Sequence, residues 1–220
     1  MWCIGELTRE YHVCMYELLE LYARPHDPRE PTICVNEKAK QLLRPARKPL
    51  PAKPDVPVRE NYEYERAGTC NLFVAVEPRG NRRLVQGTER RTKTNFVGFV
   101  LRLLRRGYAR ARKVHLVLDN LNTHFRGSFE EVLGANTVAS LLSRIEFHYA
   151  PKHASWLNMA EIEIGILSRQ CLARCGSGEQ NVLAAEVAAW QKRRNAAQYG
   201  IEWTFTRRDA DRKMSCHYVS

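Results

Sequence analysis

The 220-residue chain reads as an α/β protein, with a mixed sheet built from an antiparallel hairpin plus parallel strands and helices on both faces. Three observations predict this. The runs 71–77 and 83–88 are rich in strand formers and are separated by the turn 78–81, which makes a hairpin. Helical and strand patterns then alternate as far as Tyr149. At 44% hydrophobic residues, the chain can bury the sizeable core such a sheet needs.

Each element has its own signature. From Glu6 to Tyr22, the residues Tyr11, Met15, Leu18 and Tyr22 fall on one helical stripe, and Pro25, Pro28 and Pro31 end the helix. Thr32 to Asn36 is a short strand-forming run. Lys38 to Glu65 carries five prolines among many lysines and arginines, and reads as an extended, irregular arm. After the hairpin, Thr94 is a candidate cap for a helix through Phe96, Phe99, Val100 and Leu103 that Gly107 closes. Val114 to Leu118 is an apolar strand. Ser128 is a candidate cap for a helical stretch to about Arg144, weakened by Gly134. Ile145 to Tyr149 alternates as a strand and Pro151 stops it. Helices follow at Asn158–Arg174 and Glu179–Ala196, the latter with Leu183, Val187 and Trp190 on one face. Thr206 begins a short last helix. This order is the one expected of a ribonuclease H-like fold. The expected organisation is a helix and linker over 1–31, a catalytic domain over 32–178 with a basic Pro-rich arm at 38–66, and a helical extension over 179–220.

The composition narrows the function. No apolar run approaches the ~20 residues of a membrane span, and the charged N-terminal stretch is not a signal peptide. A cytoplasmic, soluble protein is expected. The net charge of +11 favours a nucleic-acid partner. The seven cysteines are odd in number and scattered, so they read as reduced thiols; Cys171 and Cys175 lack a second pair to complete a zinc site.

The chemistry gathers around Asp119. A buried strand ending in a carboxylate places charge at the sheet rim, where open α/β sheets carry their sites. Phosphoryl transfer with two metal ions needs acidic oxygen ligands converging from separate elements. Glu161, opening a helix, is a second candidate. Its rival Glu163 lies in the narrower gap between two apolar helical stripes, whereas Glu161 shares its face with Gly165 and Ser168, which leave room for metal and phosphate. The end of the run Ile33-Cys34-Val35 is where a third carboxylate belongs, and Asn36 occupies it.

Asp119-Asn120, His124, Tyr149, Pro151, Ser155, Leu157-Asn158 and Glu161 together resemble the catalytic core of DDE transposases, and most closely the bacterial insertion-sequence branch of the mariner-like superfamily. The resemblance covers most of the chain. It implies Asp119 and Glu161 as ligands of two Mg²⁺ or Mn²⁺ ions, with Asn36 at the first catalytic and metal-ligand position. Asn120 and His124 would lie beside the site, His124 as a hydrogen-bonding loop residue or, alternatively, a proton shuttle. Asn158 would fix the loop before Glu161. The implied activity is metal-dependent cleavage and strand transfer at insertion-element ends, on double-stranded DNA, with a TA target and a homodimer assembled on DNA, in the bacterial cytoplasm at the nucleoid.

Three departures matter. Asn36 stands where the family has Asp and brings no negative charge, so the ions should bind much more weakly. Glu37 cannot replace it, because adjacent strand residues point to opposite faces. Leu-Asn-Pro-Ile-Glu, usual in the family, is here Leu157-Asn158-Met159-Ala160-Glu161. The N-terminal helix-turn-helix modules of such enzymes are not expected within this chain. The alternative function is therefore an inactive remnant that binds DNA or protein partners. Arg44, Arg47, Lys48 and Lys53 of the arm, with Lys152 and His153 before the acidic helix, are the candidate DNA contacts, since neither stretch has a regular face to solvate. A ribonuclease H-like repair or junction nuclease is a third alternative, against which the Tyr149-to-Glu161 block argues.

Overall fold

The computed structural model describes residues 8–47, 63–119, 125–173 and 178–214. Helix α1 (Arg9–Ala23) opens it. The Thr8 hydroxyl accepts from Tyr11 N at 3.3 Å, and Met15, Leu18 and Tyr22 of the expected stripe are buried. The strands β1 (Thr32–Pro45), β2 (Tyr64–Glu77), β3 (Arg82–Thr88), β4 (Val114–Leu118) and β5 (Ile145–Tyr149) form one sheet in the order β3-β2-β1-β4-β5. β3, β2 and β1 pair antiparallel, and β1, β4 and β5 pair parallel. The mixed sheet is as the sequence predicts.

Helices cover both faces. Alternation in the strands sends Ile33, Val35, Phe73, Ala75, Leu116 and Leu118 to one side. There α2 (Lys93–Gly107), α3 (Arg126–Leu133) and α4 (Ala135–Leu142) cover them, with Phe73 stacked on Phe99 at 5.4 Å. The other side carries Cys34, Leu72, Val74, Val76 and Val117. It is covered by α1, by α5 (Ala160–Leu167), by α6 (Gln180–Ala196) through Leu183, Val187 and Trp190, and by α7 (Arg207–Met214). β4, sandwiched between the layers, is buried at all five positions.

Five local expectations change. The irregular arm is regular at both ends. β1 continues to Pro45 and β2 begins at Tyr64, paired from Ala39↔Asn71 out to Pro45↔Tyr64 with a register shift between Gln41 and Leu43. The prolines did not prevent this, because Pro45 is the last strand residue and costs no interior ladder bond. Helix α2 is capped by Thr92, whose hydroxyl accepts from Asn95 N at 3.2 Å, and not by Thr94. Ser128 is not a cap but a buried residue within α3. Gly134, at φ 81, ψ 143, breaks the expected single helix into α3 and α4, a backbone conformation open to glycine but not to other residues. The helix expected over Asn158–Arg174 is preceded by a 3₁₀ turn (Ser155–Leu157), and after Leu167 it loosens into a π-helical turn (Ser168–Leu172). Ala173 N reaches back to Ser168 O at 2.8 Å, and Lys40 of β1 donates to the Leu172 carbonyl at 3.0 Å.

Candidate active site

Register brings the first two candidates together. β1 and β4 pair in parallel at Val35↔Leu118, so the next residues outward, Asn36 and Asp119, sit side by side at the carboxyl end of both strands. They share the face of Cys34 and Val117, onto which Met159 and Ala160 pack at the start of α5. Glu161 follows in the first turn of that helix. Asn36 Nδ2 donates to Glu161 Oε1 at 2.6 Å, while Asn36 Oδ1 accepts from Glu37 N at 2.7 Å. Three residues 125 positions apart at the extremes thus meet at one sheet rim.

Asn158 ties the group. Wholly buried, it donates through Nδ2 to Val35 O and to Asp119 Oδ1, each at 2.9 Å, and accepts at Oδ1 from Ala160 N at 3.1 Å. One amide therefore links β1, the end of β4 and the first turn of α5. Tyr22 of α1 adds a second tie by donating to Leu157 O at 2.7 Å. Sequence reasoning placed Tyr22 only on an apolar stripe; nothing in the stripe signals that its hydroxyl reaches the turn before Glu161.

The electrostatics follow from burial and proximity. Glu161 is half-buried, and desolvation first, then the Asp119 charge, raise its pKa; the Asn36 hydrogen bond and Lys38 oppose this in part. Burial pushes the Cys34 thiol up to about 12, so it stays protonated beside the site. The Tyr22 hydroxyl is raised as well, chiefly by burial.

Glu163 has a different fate from Glu161. It is fully buried, with Oε1 2.7 Å from Arg83 Nε and 3.3 Å from Arg194 Nε. Arg83 also donates to Tyr199 O and Asn81 O. This ion cluster pins α5 to β3 and α6, which fixes the helix that presents Glu161. The narrow gap between apolar stripes signals Glu163's burial, but its partners are invisible in the sequence. Glu37 points to the opposite face from Asn36, where its carboxylate meets Arg91 Nη1 at 2.7 Å and receives Asn71 Nδ2 at 3.4 Å.

The donor set fits a hard divalent cation between Asp119 and Glu161: two carboxylate groups close enough that one raises the other's pKa. Asn36 fits it less well, since its amide N–H faces Glu161 and its carbonyl oxygen faces the backbone.

The remaining candidates divide. Lys152 and His153 are exposed in the turn before Ser155, with His153 in the left-handed region at φ 62. Arg44 and Arg47 are exposed at the far end of the β1–β2 ribbon. Asn120, His124, Lys48 and Lys53 lie outside the described residues. Trp156 is 39% exposed and stacks on Trp203 at 6.2 Å.

A mixed β3-β2-β1-β4-β5 sheet with helices on both faces, with acidic side chains meeting where β1 and β4 end, defines the ribonuclease H-like class. Residues 31–181 match the family model of the DDE superfamily endonucleases, and the chain belongs to that family. No curated protein sequence matches it. Among solved structures, it is similar to the Mos1 mariner paired-end complex with Mn (TM-score 0.57, 17% identity, covering 90% of this chain and 60% of that one). The Mos1 paired-end complex with Mg (0.52, 18%, 90% and 58%) and a pre-cleavage Mos1 transpososome (0.50, 16%, 90% and 64%) are similar too. At these identities the likeness is one of fold. The chain spans about 60% of the length of those transposase chains.

Proposed function

We propose that this chain is the catalytic domain of a transposase, which cleaves DNA at the ends of an insertion element and joins the freed ends to a target, with TA as the target sequence. The observation that carries the reading is the meeting of Asp119 and Glu161 at the end of β4, with Asn36 at the third position of the same rim. Residues 32–178 would form the catalytic unit, and 179–220 a helical extension. The chain would work as a homodimer assembled on DNA, in the bacterial cytoplasm.

Asp119 and Glu161 would hold Mg²⁺ or Mn²⁺. When bound, such ions neutralise charge on the scissile phosphate and lower the pKa of water at neutral pH. A second ion would have to share Asn36, whose carbonyl oxygen must first turn from Glu37 N. Asn158 would hold the Asp119 carboxylate in place through its 2.9 Å bond. Asn120 and His124 are proposed beside the reacting phosphate. The exposed Arg44, Arg47, Lys152 and His153, with Lys48 and Lys53, would take DNA phosphates.

Asn36 weakens the ion site, and restoring Asp there tests the reading. Asn36→Asp should raise Mg²⁺-dependent nicking and strand transfer on plasmid DNA on the order of a hundredfold or more, because metal charge stabilisation is worth several kcal/mol. Asp119→Asn in the same background should abolish the gain. No gain in the restored protein would defeat the assignment of Asp119 and Glu161.

A second reading, a non-catalytic DNA-binding remnant, has its own support in the 2.6 Å bond from Asn36 to Glu161, which satisfies the site without an ion. It expects DNA retardation that is unchanged by Mn²⁺ in both proteins.

A further inference from the structure

A second group of ligating side chains lies on the same face of the sheet, toward the other end of the strands. Parallel pairing sets His115 of β4 opposite Glu146 of β5, and Val117 opposite His148. All three polar side chains therefore point to the α1 layer, while Val114, Leu116, Ile145 and Phe147 point away. His115 and His148 are 4% and 3% exposed; Glu146 is half-buried. His115 Nδ1 stands 3.0 Å from His148 Nε2. Glu146 Oε1 is 3.7 Å from His148 Nε2, and its Oε2 is 3.9 Å from His115 Nδ1. One donor atom from each residue falls within 4.8 Å of the others.

The outer partner is equally placed. His148 Nδ1 lies 2.6 Å from Glu17 Oε1 on α1. This bond sets the tautomer: Nδ1–H donates to Glu17, and the Nε2 lone pair faces the cluster. A carboxylate behind a histidine is the usual support of a metal-bound imidazole. Without an ion, His115 Nδ1–H satisfies that lone pair.

We propose that His115 Nδ1, His148 Nε2 and a Glu146 oxygen form a site for one transition-metal dication of the zinc class, separate from the Asp119–Glu161 rim. Two imidazoles and one carboxylate select zinc-like ions over Mg²⁺, which prefers an all-oxygen shell. Zinc–nitrogen bonds of ~2.0–2.1 Å in a tetrahedron put ligand atoms roughly 3.3 Å apart, so the imidazole pair opens slightly and the Glu146 carboxylate closes on it. Water completes the shell. On binding, the neutral His115 ring changes tautomer, its one proton passing from Nδ1 to Nε2 so that Nδ1 is free to ligate. Burial and the neighbouring His148 ring lower the His115 pKa, which keeps that ring neutral as a ligand must be. Lys113 Nζ holds Glu146 Oε2 at 2.9 Å, leaving Oε1 for the ion. The positive charges of Lys113 and Arg24 oppose a cation here; Glu17, Glu30 and Glu146 favour it. The ion would cross-link two short parallel strands and, through Glu17, tie α1 to them. That stiffens the strand that ends on Asp119, about 13 Å away at about 3.3 Å per residue.

The test uses the full chain carrying Asp119→Asn and Glu161→Gln, stripped of metal, so that the rim does not contribute. Calorimetric titration with Zn²⁺ should give one equivalent per chain and a raised melting temperature, with Mg²⁺ producing neither. Co²⁺ should give a visible spectrum of nitrogen and oxygen ligation. His148→Gln and Glu146→Gln should each weaken Zn²⁺ binding at least tenfold, and Glu17→Gln roughly tenfold. Should His148→Gln fail to fold, Glu146→Gln decides, since its side chain is partly in solvent. Substoichiometric binding, equal binding by the Glu146→Gln protein, an equal response to Mg²⁺, or a thiolate-to-cobalt charge-transfer band assigning the ion to cysteines would each overturn the proposal. None of these outcomes depends on whether the chain cuts DNA.

Discussion

Glu161 and Glu163 sit two residues apart on one helix, yet their surroundings assign them opposite tasks. Glu163 is an ion of the interior, compensated by Arg83 and Arg194. Removing one partner of a buried pair leaves an uncompensated charge, so Glu163→Gln should destabilise the protein by about 3–5 kcal/mol, read as a lower urea midpoint. Glu161 is a carboxylate whose pKa burial and Asp119 raise. A carboxyl group with a raised folded-state pKa stabilises the fold below its unfolded value near 4.5, and that contribution is lost as pH rises through the folded value. Glu161→Gln should therefore gain stability at neutral pH, with the gain fading as pH falls through the raised folded-state value and gone below the ordinary carboxylate value. A Glu161→Gln protein less stable than its parent at pH 7 would contradict this. The helical wheel separates the two glutamates by the width of their gaps, but only the arginines arriving from β3 and α6 explain why one is bound and the other accessible.

At the scale of elements, the strands are the most legible parts. β2, β3, β4 and β5 carry their alternation or apolar runs openly, and the helices α1, α2 and α6 carry single apolar faces. Element ends are less legible, because capping depends on which hydroxyl meets which amide; Thr94 is the cap the sequence suggests, but it is Thr92 whose hydroxyl meets the Asn95 N–H. The break at Gly134 is half-visible: the glycine is noticed, its positive φ is not. A Cβ there meets nothing within 4 Å, so the cost of Gly134→Ala is purely conformational. We expect about 1–3 kcal/mol of destabilisation, and a thermal melt would measure it. The ribbon beyond Leu43 is the largest misreading. Proline and charge mark an irregular arm, yet β1 and β2 pair out to Pro45↔Tyr64, because two strands held in register by the sheet can continue pairing past its other strands.

Across the whole molecule, the +11 charge is unevenly committed. Arg83, Arg91, Lys93, Arg112 and Lys113 are drawn into ion pairs with Glu163, Glu37, Glu131, Glu30 and Glu146. Arg44 and Arg47 are exposed at the far end of the β1–β2 ribbon. If they contact phosphates as proposed, the double variant Arg44→Ala, Arg47→Ala should reduce the salt slope of DNA binding by about 2, at about 0.9 per contact. An unchanged slope would remove the ribbon from the DNA path. What the sequence alone determined is the mixed α/β class, the strand that ends on Asp119, and the acidic residues worth watching, because alternation and helical periodicity are local properties written residue by residue. Only the tertiary structure decided which of them meet. The parallel register of β1 on β4 sets Asn36 beside Asp119, Asn158 bridges both to α5, and the same register places His115 against Glu146 and His148. Such meetings depend on pairing between segments up to 125 residues apart, set by packing of the layers, and no local pattern encodes them.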